Sequence, residues 1–167
     1  MDLLKLVALD GDDIEVVSAH LQDAVIKPAD IRWRPGEHRV VVALDRFDWE
    51  AANGQALSGQ APKFQRRRSA LRFERVKSCK CRKVEQTAEP GRLNLLAIAF
   101  SENDAPGGVV TLTFSGGAAL RLEVECLEAE LADLGPAWAS ECCPAHLEAE
   151  AIELAESSVK TTLAKQG

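Results

Sequence analysis

Between Lys63 and Lys83 the chain gathers ten cations against one acid, Glu74. That is a net +9, which leaves −15 on the remainder of a chain whose total is −6. The cations are Lys63, Arg66, Arg67, Arg68, Arg72, Arg75, Lys77, Lys80, Arg82 and Lys83, half of all 20 Lys and Arg. Guanidinium groups suit the geometry of phosphate and carboxylate. Arg66, Arg67, Arg68, Arg72, Arg75, Lys77, Lys80 and Arg82 are therefore the candidate anion- or partner-binding residues. The competing account is internal neutralisation. Glu123 and Glu125 are expected to point outward from another strand, and the acidic tail (Glu141, Glu148, Glu150, Glu153, Glu156) can lie across the basic stretch.

Cysteine supplies the other cluster of reactive side chains. Cys79-Lys80-Cys81 and Cys142-Cys143-Pro144-Ala145-His146 contain the clustered potential metal ligands Cys79, Cys81, Cys142, Cys143 and His146. Structural zinc is usually held by paired Cys-x-x-Cys knuckles, and neither cluster has that spacing. On an extended strand Cys79 and Cys81 share one face, where small thiols pack well. Cys126 alternates with Leu122 and Val124 and reads as core. An odd total of five cysteines gives no tidy disulfide framework, so reduced thiols are expected.

Other chemistry lacks a motif. There is no G-x-S-x-G, Walker loop, H-E-x-x-H or G-x-G-x-x-G, and no cofactor is called for. The histidines stand apart at positions 20, 38 and 146, a spacing that pairs none of them with a nucleophile. His20 flanks an apolar helical stripe and reads as a packed histidine. Aromatic content is low, with three Trp, five Phe and no Tyr. That speaks against a platform on which bases stack.

The elements that must position these residues follow from periodicity. At 167 residues, with 46% hydrophobic and 28% charged, the chain has the composition of one globular domain. Residues 3–9 fit a first strand. Asp10 caps an acidic first turn, and Ile14, Val17, Leu21 and Ala24 follow at helical spacing, so a short helix is expected over 12–22. Residues 30–46 read as a hairpin around a type II turn at Pro35-Gly36. A loop of small residues is expected from 51 to 62. Residues 69–84 read as one long strand with a bulge near Val76, where the parity breaks. Residues 93–100 are apolar almost throughout and read as a central strand covered on both faces. Gly116-Gly117 joins a hairpin of 109–115 and 118–127, while 128–134 shifts towards helix.

Together these elements predict an α+β fold. Its sheet is mainly antiparallel and strongly bent or closed into a partial barrel, with a pleckstrin-homology-like barrel as one candidate. A short N-terminal helix and a C-terminal helical or disordered appendage complete it. The expected boundary places the domain at 1–138 and the appendage at 139–167.

Four stretches occur in order: LLKLVALDGDDIEVVSAHLQDAV, LDRFDWE, RRRSALRFERV and GGVVTLTFSGGAALRLEVECLEAELADLGPAW. Over about residues 3–138 they resemble the alphaproteobacterial family known as domain of unknown function 2948. The resemblance implies an alphaproteobacterial source and a small domain, and it brings no activity, cofactor or catalytic residue. Ala139 onward lies outside it.

No basic, long apolar leader opens the chain, and no apolar run reaches bilayer-spanning length, so a cytoplasmic protein without a membrane role is expected. The leading functional expectation is a non-enzymatic binding protein. Its basic strand (63–83) meets an acidic protein, or the acidic surface of a second copy in a homodimer. A nucleic-acid-binding module is the alternative, and a thiol–metal protein or unrecognised enzyme the third.

Overall fold

The computed structural model describes residues 3–48, 64–84, 91–135 and 138–140. The expected loop at 51–62 and nearly all of the expected appendage lie outside these. The described residues form an antiparallel, sheet-rich fold with one α-helix. No helix among them is long and apolar enough to cross a membrane.

The chain divides into two compact units. The first comprises residues 1–47 and 67–136. Its sheet runs in the order β1 (Lys5–Ala8), β10 (Ala129–Asp133), β5 (Phe64–Phe73), β4 (Arg39–Phe47), β2 (Val25–Ile26), β7 (Leu93–Glu102), β8 (Gly108–Phe114), β9 (Ala119–Val124) and β6 (Val76–Arg82). β3 (Ile31–Arg34) pairs with β4. The sheet is not closed: β1 and β6 stand at its two ends. In the second unit, residues 48–66 and 137–167, β11 (Trp138–Ser140) lies antiparallel to residues 64–66, and the Asp48 amide donates to the Gln65 carbonyl at 2.7 Å.

Helix α1 spans Gly11–His20. The Asp10 carboxylate accepts from the Asp13 amide at 2.8 Å, satisfying one of the donors that a helix start leaves open. Ile14 and Val17 are buried from this helix into a core shared with Leu44, Leu71, Phe73, Leu95, Leu112 and Leu122.

Five expectations are corrected. Residues 128–134 are not helical: Ala129, Leu131 and Asp133 alternate inward along β10, between β1 and β5. The stretch 69–84 is two strands. β5 ends at Phe73, and Arg75, with φ of 59°, turns the chain into β6. The expected bulge lies just beyond, where Lys77 is the extra residue between the pairs Val76–Val124 and Ser78–Glu123. β7 is covered on one face only. A second bulge at Leu96 places Leu96 and Ala97 outward together, which is why its apolar run hides the alternation. Cys126 is half-buried in a bend beyond β9 rather than on its inward face. At the first hairpin, Pro35–Glu37 form a 3-10 turn closed by His38 in the left-handed region, rather than a type II turn.

One polar cluster is buried in this apolar frame. Asp133 accepts two parallel bonds from Arg46, both 2.8 Å, together with the Ser69 hydroxyl at 2.6 Å and the Leu4 amide at 2.8 Å. Burial alone would raise the carboxyl pKa. The hydrogen bonds from Arg46, Ser69 and Leu4 and the Arg46 charge outweigh it and hold Asp133 below the ordinary aspartate value. A carboxyl depressed on folding stabilises the fold above its unfolded pKa, and that contribution is lost as pH falls through the folded value. Arg46→Met, which strands the carboxylate, is expected to cost about 3–5 kcal/mol in urea unfolding at neutral pH. The gap to the wild type should narrow as the pH is lowered through the carboxylate range. A constant gap would mean that Asp133 ionisation is not what Arg46 stabilises.

Candidate basic face on the sheet edge

Lys63 lies outside the described residues, and the structure sorts the other nine cations of the segment into two groups. Arg66 is fully buried in the second unit, and Arg67 is half-buried. Arg68 reaches Asp45 at 3.1 Å and Asp30 at 3.0 Å. Arg72 meets Glu74 at 3.2 Å and Glu130 at 3.3 Å, and Arg75 approaches Glu128 at 3.6 Å. The acids that meet Arg68, Arg72 and Arg75 are therefore Asp30, Asp45, Glu74, Glu128 and Glu130. Glu123 does not serve: it stands opposite Ser78. Glu125 touches the segment through its backbone amide, which donates to the Arg75 carbonyl at 2.9 Å.

Arg72, Arg75 and Glu74 also line a cleft of about 490 Å³ with Glu37, His38, Arg39, Glu125 and Glu128. Arg39 bonds Glu74 at 2.6 Å and Glu37 at 3.3 Å there. The cleft thus brings its own counter-charges.

β6 differs. Lys77, Lys80, Arg82 and the following Lys83 are exposed, and none makes an ion pair among the described residues. Arg121 of β9 is exposed and equally without an ion pair there, and the register sets it directly opposite Lys80. A shallow groove of about 640 Å³ runs beside these cations, lined by Lys80, Arg82 and Arg121 together with Ser101, Asn103, Thr111 and Glu102.

A profile for the family "Protein of unknown function (DUF2948)" matches residues 4–146. The chain belongs to this family. No curated protein and no solved structure matches it. The family match reaches past residue 138, to include Cys142, Cys143 and His146, which lie outside the described residues.

Arg121, Thr111, Ser101 and Asn103 join the face although spacing did not single them out. The alternation of β9 already set Arg121 outward, but only the register shows what it faces.

Of the cysteines, Cys79 and Cys81 stand opposite the buried Leu122 and Leu120, on the core-side face of β6. Cys79 is half-buried and Cys81 exposed near the strand end. Among the described residues no three metal-ligating side chains come together. Burial, and then the neighbouring Cys81, push the Cys79 thiol up to about 11, which keeps it protonated at neutral pH. A protonated thiol is a poor nucleophile and a poor metal ligand. Iodoacetamide at about pH 8 with peptide mass mapping is expected to label Cys81 well before Cys79. Equal rates would show that burial does not protect Cys79.

Proposed function

We propose that this protein is a cytoplasmic, non-enzymatic binding protein that receives an acidic protein segment on the face formed by β6 and β9. One observation carries the reading: Arg68, Arg72 and Arg75, on β5 and the β5–β6 turn, find acids within the fold, whereas the cations of β6 and Arg121 find none among the described residues. Lysines on a terminal strand also guard against edge-to-edge aggregation. That role covers Lys77 and Lys80 but gives no reason for Arg121, which sits on an interior strand between β8 and β6. Bulges at Lys77 and Leu96 bend a sheet locally. The same proposal has them curling the open sheet towards a partial, pleckstrin-homology-like barrel, with 139–167 as a separate helical or disordered appendage.

The test is fluorescence anisotropy of a labelled oligoglutamate peptide against the full chain and against Lys80→Ala/Arg82→Ala/Arg121→Ala. Three lost charge contacts are expected to weaken binding at least about tenfold at low salt, with circular dichroism unchanged. Equal binding by the triple variant would overturn the assignment of the face. A single-stranded oligonucleotide that binds more tightly than the peptide, with an affinity falling steeply with salt, would replace the acidic protein by nucleic acid.

A further inference from the structure

Antiparallel register gathers the cations of this face around one point. Lys80 stands opposite Arg121, Arg121 opposite Thr111, and Thr111 opposite Ala99. Paired strands lie about 4.8 Å apart, so one row puts an ammonium, a guanidinium and a hydroxyl within reach of a single small group. Arg82, paired with Ala119, sits diagonal to Arg121 in the next row. Ala119 and Ala99 carry only methyl groups above the sheet. Glu102 is the one acid in the groove lining, and Glu123 lies one row away, opposite Ser78.

Like charges directly opposite on paired strands destabilise a sheet. The Lys80–Arg121 pair carries that cost with no ion pair among the described residues to offset it. One carboxylate brings a single negative charge against three cations. A phosphate monoester brings close to two negative charges and three strong acceptor oxygens at neutral pH, which matches three cations and a hydroxyl donor. We infer that, resting on the binding surface proposed above, Lys80, Arg82, Arg121 and Thr111 form a seat for a phosphoryl group on the acidic partner, a phosphoserine or phosphothreonine flanked by acids. Arg121 is the central ligand, and Thr111 donates its hydroxyl hydrogen to a phosphate oxygen.

Four labelled or competing probes separate the outcomes: an acidic peptide with a central phosphoserine, the same peptide with serine, inorganic phosphate, and a 5′-phosphorylated oligonucleotide. The phosphopeptide is expected to bind the full chain about tenfold more tightly than its serine form. That advantage should vanish in Arg121→Gln, shrink in Thr111→Val, and fade below about pH 6, where the phosphate takes up its second proton. Equal binding of the two peptides overturns the phosphoryl seat while leaving the acidic-segment surface standing. Failure of both peptides to bind overturns the surface as well. Inorganic phosphate competing as strongly as the phosphopeptide would make the seat one for a free anion and overturn its assignment to a polypeptide. A 5′-phosphorylated oligonucleotide binding more tightly than the phosphopeptide would overturn it in favour of nucleic acid.

Discussion

The buried carboxylate of Asp133 is the constraint on which the strand arrangement depends. It is the last residue of β10, yet its two oxygens tie down Arg46 of β4, Ser69 of β5 and the backbone leading into β1. The Asp133 amide in turn donates to the Leu4 carbonyl at 2.9 Å. A charge removed from water is tolerated only when its acceptor sites are filled by well-placed donors. Here the donors come from two strands and the segment entering a third, so a shift in the register of any of them strands a charge. The apolar contacts around the cluster are non-directional and would accept a slipped strand more readily. The polar cluster therefore supplies register, and the hydrophobic core supplies most of the free energy.

Register decides the chemistry of the far end of the sheet as well. Lys80 and Arg121 are 41 positions apart, and β6 pairs with β9 rather than with its chain neighbours. The bulge at Lys77 shifts the pairing by one residue, and a one-residue slip exchanges the faces of a strand. Beyond that bulge Ser78, Lys80 and Arg82 share the outer side with Glu123, Arg121 and Ala119. Cys79 and Cys81 are left to face the core side. Without the extra residue the lysine and the thiols would trade places. The groove also needs Gly108: a Cβ there would come within 2.5 Å of the Ser101 carbonyl oxygen and 2.6 Å of the Phe100 ring. The β7–β8 pair that floors the groove has no room for a side chain at that position.

Local patterns in the chain were legible where one face is apolar and the partner lies nearby. The cap at Asp10, the helix of Ile14 and Val17, the hairpin at Gly116-Gly117 and the alternation of Leu120, Leu122 and Val124 all express periodicity and turn chemistry. Legibility failed where a bulge resets parity, as at Leu96, and where a polar residue occupies an inward position, as Asp133 does in β10. A carboxylate at that position broke the alternation that would have marked a strand and left the acid-rich, alanine-containing stretch resembling a helix. The basic segment was visible as a composition, but its division was not. The acids that neutralise Arg68 lie 23 and 38 positions away, on β4 and at the end of the 3-10 turn Pro28–Asp30.

That division bears on how charge segregation in a sequence is to be weighed. A run of cations is compatible equally with a solvated face, an internal ion-pair lattice and a binding surface, because each needs only that the charges be tolerated. The three differ in where the compensating acids stand. In β5 and the turn after it, each arginine with an ion pair meets at least one carboxylate distant in the chain, an arrangement whose net stabilisation is small at the surface and larger where Arg68 and Asp45 are covered. Between β6 and β9 Lys80 and Arg121 stand opposite one another instead, and repulsion across a strand pair offers the folded state nothing in return. Substitution of either partner by threonine or serine would relieve it without disturbing the core, since both side chains are exposed. The physical case for the proposed ligand on this face is therefore a removable, uncompensated cost, located by register to one row of the sheet.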